Sequence, residues 1–240
     1  VIKELILGSM LTFHGHPIAP EDLTQGELDT YMQMETGCLA ENVYHEARGQ
    51  GAAGQIAVIF VTLNRVADSR YPNSICDVVK QGPHKPSWTG SGEMIPVRHK
   101  CQFSWYCDGK SDEIRNDYVY QNIYTLTELM INGTIHSIDI TEGATHYHAT
   151  YVDPVWSAGL IRTDKIGLHV FYRFPRGSEW AQVRSASASR SAAAPVLTAA
   201  AEKQDLDAAA LSVLRTASAD DEARATSIQA SAAPATVTTS

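Results

Sequence analysis

The sequence predicts an α+β domain, mainly helical, with a small antiparallel sheet and a disordered Ala/Ser-rich tail. Three observations carry this. Apolar residues recur at helical steps through the first half of the chain, short aromatic and β-branched runs appear only late, and the composition changes abruptly after Arg176.

The elements follow in order. A chain of 240 residues accommodates one domain with a proper core. Val1 to Asp29 reads as a lead-in segment with turn-prone His16-Pro17 and Ala19-Pro20, and residues 30–176 as the compact domain. Leu39 to Ala47 reads as a helix ending at Arg48-Gly49, where glycine suits a left-handed cap. The strongest helical signal spans Gln55 to Ser69: Ile56, Ile59, Phe60, Leu63 and Val66 recur at three- and four-residue steps, and Tyr71-Pro72 stops the run.

Ser74 to Lys80 predicts a shorter helix. Asp112 to Asn132 predicts a longer one, with Ile114, Tyr118, Ile123, Leu126 and Met130 as its apolar stripe and Asn132-Gly133 as its end. Gln81 to Cys101, rich in proline and glycine, is expected as an exposed loop leading into Gln102 to Tyr106, a short strand or extended cleft wall. Thr145 to His148 and His169 to Phe174 predict two short strands. From Gly177 to Ser240 Ala, Ser and Thr dominate. Such a segment buries too little apolar area to offset its ordering entropy, although Ala199 to Leu214 suits a transient helix.

Bulk properties exclude some functions. A formal net charge of -8 gives no electrostatic footprint for nucleic acid. The longest early apolar run, Ile6 to Leu11, is broken by Gly8 and Ser9 and falls far short of the roughly 18 residues of a membrane span. It also lacks a convincing signal-peptide pattern. Cys38, Cys76, Cys101 and Cys107 suit at least one disulfide in an oxidising compartment, with all three pairings open.

The sharpest chemical feature is the run from Cys38 to Gly49, which places Glu46 near a helix end where a carboxyl meets a cleft. Partial burial against apolar neighbours such as Val43 and Tyr44 would raise its pKa and keep it protonated for general-acid work, although most helix glutamates are solvated. His45-Glu46 is not a zinc-protease motif, because position 49 is glycine rather than the second histidine. His146 and His148, with His169, could share a metal or could form an aromatic-polar cleft wall. Trp88, Trp105, Tyr106, Tyr147, Tyr151 and Trp156 suit sugar stacking, as they would also suit a core.

Taken together, the motifs are more specific than any one alone. Leu39 to Gly49 is followed by Gly54-Gln55-Ile56-Ala57-Val58 and Leu63-Asn64-Arg65-Val66. Then come Cys101-Gln102-Phe103-Ser104-Trp105 with Asp108-Gly109, Gly143-Ala144-Thr145-His146-Tyr147-His148, Pro154 with Trp156, and Gly167, His169, Phe171 and Tyr172. This ordered series, from Cys38 to Phe174, resembles the SleB-type cell-wall hydrolases, a family named from spore-cortex-lytic enzymes. No peptidoglycan-binding repeat is recognisable before the domain, so the sequence lends no support to a sporulation role.

The resemblance implies a lysozyme-like domain related to lytic transglycosylases, with Glu46 as catalytic acid and peptidoglycan glycan strands as partner. The implied reaction cuts between N-acetylmuramic acid and N-acetylglucosamine without a cofactor, the same glutamate then activating the muramic C6 hydroxyl. Gln102, Ser104, Tyr147 and His148 are the candidates for holding N-acetyl and hydroxyl groups.

A hydrolytic variant would pair Glu46 with Asp108, Glu142 or Asp153. Glu41 is a poor partner, about 140° away round the helix. The rivals are an N-acetylmuramoyl-L-alanine amidase with zinc on His146, His148 or His169, and a non-catalytic wall-binding module. The expected location is the cell envelope or periplasm, or the host wall if the protein is a phage-encoded lysin.

Overall fold

The computed structural model describes residues 11–13, 16–18, 22–135 and 137–185. The chain divides into Val1–Ser187 and Ala188–Ser240, and the second unit, with the expected helix at 199–214 and nearly all of the Ala/Ser-rich tail, lies outside the described residues.

Leu11–Phe13 (β1) and His16–Ile18 (β2) pair antiparallel, so His16-Pro17 lies in a strand rather than the expected turn. Helix α1 runs over Gln25–Ala47, well before Leu39, and takes in the end of the expected lead-in. Thr24 and Glu27 form a capping box that fixes its start. The apolar pattern hid this first half because Glu35 and Thr36 occupy buried positions there. At the other end Arg48 caps in the right-handed region and Gly49 is not among the left-handed residues, so the predicted glycine cap does not form.

Helix α2 spans Ala52–Val66 and α3 Ile75–Val79, with Ser74 accepting from the Asp77 N–H as N-cap. Helix α4, Asp117–Ile131, is capped by Asn116 and closed at Gly133, whose φ of 74° suits glycine. Leu39, Val43 and Tyr44 of α1 pack with Val58, Ile59 and Leu63 of α2, Ile75 and Val78 of α3, and Ile123 and Met130 of α4.

Two intervals differ from expectation. The exposed 81–101 segment carries a hairpin of His84–Pro86 (β3) and Met94–Pro96 (β4), its prolines tolerated because both strands are edges. Ser104–Cys107 is a 3₁₀ turn rather than a strand or extended wall. An extended run of that length would span roughly 20 Å, whereas the Cys101–Cys107 disulfide holds its Cα atoms 6.0 Å apart, so the chain must coil. The second disulfide joins Cys38 to Cys76, completing one of the three open pairings.

The sheet has the order β5-β7-β6: His146–Ala149 (β5) and Ile161–Ile166 (β6) flank His169–Arg173 (β7), all antiparallel. Strand β6 escapes a hydrophobic reading because it is an edge whose exposed positions are the charged Arg162, Asp164 and Lys165. Ala57 and Val61 of α2 pack with Ala144 and Phe171, seating the sheet on the helices. The fold also continues past Arg176: Glu179 takes both guanidinium nitrogens of Arg173 (2.7 and 2.8 Å) and Val183 is buried.

Candidate functional site

Glu46 lies on the stripe Leu39, Asn42, Glu46 of α1, two members of which are fully buried. Its helix ends one residue later, so the half-buried carboxyl meets a groove rather than the core. The Tyr147 hydroxyl donates to Glu46 Oε2 at 2.9 Å. Burial pushes the Glu46 pKa upward, against the Tyr147 bond and the charge of Arg65, which favour the ionised form.

Arg65 comes from α2 and is buried. Its Nε donates to the Thr145 carbonyl (2.8 Å), and its guanidinium carbon lies 4.7 Å from the Phe103 ring centroid. One terminal nitrogen, NH1, is buried without a hydrogen-bond partner. A buried cation thus stands behind the carboxyl, at a position the sequence marked only as part of a motif.

The walls are fixed from the core outward. Asn42, wholly buried, donates to Thr62 Oγ1 (3.1 Å) and accepts from Trp105 Nε1 (2.9 Å), holding the indole against His45 with ring centroids 4.4 Å apart. The Tyr44 hydroxyl accepts from the backbone N–H groups of both Arg115 and Asn116, tying the approach to α4 onto α1. On the other side Asn64 donates to Asp139 (2.9 Å) and the Ala144 carbonyl (3.0 Å), which sets where β5 begins.

Three cavities meet at Glu46. One of about 670 Å³ includes Trp105, Asp108, Asp112 and Arg115; one of about 400 Å³ includes Gln102, Ser104, Tyr147 and Tyr151; one of about 360 Å³ includes Arg48, Gln50 and His169. Glu46 lines all three, so it sits within an open groove that continues on more than one side.

The cell wall hydrolase family model matches residues 49–172, beginning just after Glu46. The chain belongs to the cell wall hydrolase family. Two curated spore cortex-lytic enzymes from Bacillus cereus are each 41% identical over 49 residues, 20% of this chain, so the match spans about a fifth (19%) of those relatives. The crystal structure of the catalytic domain of the Bacillus cereus SleB protein aligns with 59% of this chain and 91% of its own, at 25% identity and a TM-score of 0.41.

In this cell wall hydrolase Glu46, Gln102, Ser104, Tyr147 and His148 all line the cavity of about 400 Å³. Their standing differs. Gln102 and Ser104 are exposed to it, whereas the Tyr147 hydroxyl is engaged with Glu46. Both His148 nitrogens are bonded within the protein, to the Ala149 carbonyl (2.8 Å) and the Tyr172 hydroxyl (2.9 Å). Of the carboxylates considered as partners, Asp108 shares a cavity with Glu46, while Asp153 accepts from Ser157 outside the three cavities.

The histidines considered for zinc are divided between the faces of the sheet. His146 and His148 share one face of β5, while His169 is registered opposite Ala149 and packs on Tyr147, on the other face. Among the described residues no group of three His, Cys, Asp or Glu is placed to hold a metal ion. Among the aromatics, Trp105, Tyr147 and Tyr151 line the groove. Trp156 packs on His146, His148 and Tyr172, and Trp88 stands 91% exposed beyond β3. Sequence reasoning missed Arg65, Arg48 and Arg115 as groove residues; Arg65 and Arg48 were marked only as members of motif blocks, and Arg115 only by its cationic side chain.

Proposed function

We propose that the protein cleaves peptidoglycan glycan strands between N-acetylmuramic acid and N-acetylglucosamine as a lytic transglycosylase, with Glu46 as acid and then base. The observation that carries this reading is one carboxyl, its pKa raised by burial, held through Oε2 by Tyr147 where three cavities meet. Protonated Glu46 gives its proton to the glycosidic oxygen as the muramic C1–O bond breaks, and C1 acquires oxocarbenium character. The resulting carboxylate then takes the proton from the same sugar's C6 hydroxyl as O6 bonds to C1, leaving a 1,6-anhydro end and restoring the acid. Arg65 stabilises the carboxylate in the interval between the two transfers.

The protein acts outside the cytoplasm, on the cell wall, where an oxidising environment preserves Cys38–Cys76 and Cys101–Cys107. No described helix is long and apolar enough to cross a membrane. Hydrolysis is the close variant, favoured by the presence of Asp108 in the same cavity as Glu46.

Mass spectrometry of fragments from purified peptidoglycan tests the reading. Wild type releases anhydromuropeptides and Glu46→Gln, which preserves shape without the acid, releases none. Reducing-end muropeptides lost in the variant mean hydrolysis, free stem peptides mean an amidase, and equal fragments from both proteins remove Glu46 as the acid.

A further inference from the structure

Building on the glycan-cleaving reading, we infer that the cavity of about 670 Å³ beside Glu46 binds the peptide stem of the muramic acid at the cleavage point, so that the enzyme selects stem-bearing over bare glycan. The cavity falls within the roughly 300–1,000 Å³ range of ligand pockets. Its lining is unlike that of the neighbouring cavity. Where Gln102, Ser104, Tyr147 and Tyr151 offer amide, hydroxyl and ring surfaces suited to sugars, this cavity presents Arg48, Lys110 and Arg115 together with Asp108, Asp112 and Glu113.

Most of those charges stand outside any ion pair. Lys110 is paired with Asp108 at 3.4 Å, while no ion pair among the described residues involves Arg48, Arg115, Asp112 or Glu113. The balance of two cations against two carboxylates fits neither a neutral sugar nor a simple anion. It fits a ligand bearing both signs, as a stem does: its carboxylates face arginine, and the ammonium of its diamino acid faces Asp112 or Glu113.

Position supports the same assignment. The stem hangs from the lactyl group on O3 of the sugar whose C1 is attacked, so it begins within one ring of the acid. Glu46 and Ser104 line both this cavity and the sugar-suited one. The cavity is also preorganised. Bonds from the Arg115 and Asn116 N–H groups to Tyr44 fix one wall, Trp105 is held by Asn42, and Arg48 is bonded to the Tyr44 carbonyl at 3.3 Å over the Tyr44 ring.

The test compares intact strands with the same strands stripped of stems by a separate amidase, reading glycan ends released per minute. A kcat/KM ratio of about tenfold or more in favour of stem-bearing strands is expected, the size of one lost charge-assisted contact. The ratio should fall toward one in Arg48→Gln and Arg115→Gln, both exposed positions whose replacement leaves the core intact. Calorimetry with Glu46→Gln should show a stem-bearing muropeptide binding more tightly than the bare disaccharide. Equal wild-type rates on the two strands, or equal binding, overturn the stem site while leaving the glycan reading in place. Glycan ends released from neither substrate overturn both.

Discussion

Glu35 offers a quantitative test of how α1 is joined to α3. It is 0% exposed, its Oε2 accepts from the Ile75 N–H, its Oε1 has no partner, and burial pushes its pKa up to about 7. Asp77 adds to the rise, whereas the Ile75 and Cys76 N–H groups and Lys80 oppose it. The folded state therefore holds this proton more tightly than the unfolded chain does. The stability is full below the ordinary value of 4.5 and is lost as pH rises through about 7. Once the group is ionised in both states the fold has lost about 3 kcal/mol, since each pH unit between the two pKa values is worth roughly 1.4 kcal/mol.

Glu35→Gln keeps an acceptor for Ile75 and an N–H where the neutral acid carries O–H. Denaturant unfolding at pH 4 should give nearly equal stabilities for wild type and variant, and at pH 9 the variant should be more stable by about 3 kcal/mol. A variant less stable than wild type at pH 9 would refute the reasoning, because the carboxylate's bonds to α3 would then outweigh its burial.

Two further outcomes follow from the same geometry. Removing Cys38–Cys76, which closes a separation of 38 residues, should cost about 4 kcal/mol by chain entropy, against about 2 kcal/mol for Cys101–Cys107 with a separation of 6; unfolding of the paired alanine variants measures both. Tyr147→Phe removes a bond that favours ionised Glu46, so burial acts with less opposition and the pH limb on which the acid loses its proton should move upward. Its pH profile of glycan release checks this, with about a tenfold fall in rate as Oε2 loses its anchor; an unmoved limb would disconnect Tyr147 from the titrating group.

The placement of the candidate acid was legible because local rules govern it. Glu46 stands near the end of a helix that must turn at Arg48, and the Gln55-to-Val66 stripe specifies a core helix whatever packs against it. The even cysteine count made a disulfide readable. The first half of α1 was not legible, because buried Glu35 and Thr36 break its apolar period, and neither was β6, an edge strand with charges on its exposed face.

Other features depend on residues far apart in sequence. Pairing of Cys101 with Cys107 turns an aromatic run that reads as extended into a 3₁₀ turn, and that turn lets Trp105 reach Asn42, 63 positions earlier. Strand register places His169 on the Tyr147 face, away from His146 and His148, which no count along the chain reveals. Arg65 becomes a groove residue only because α2 lies beside Glu46 and the residue before β5 supplies the Thr145 carbonyl. The sequence by itself determined the core helix Ala52–Val66 and the place of Glu46 near a helix end, since these rest on period and local turn chemistry. Tertiary structure alone decided the surroundings of Glu46 and the separation of the cavity with Arg48, Asp112 and Arg115 from the one with Gln102, Tyr147 and Tyr151, because burial and proximity arise only when distant segments pack.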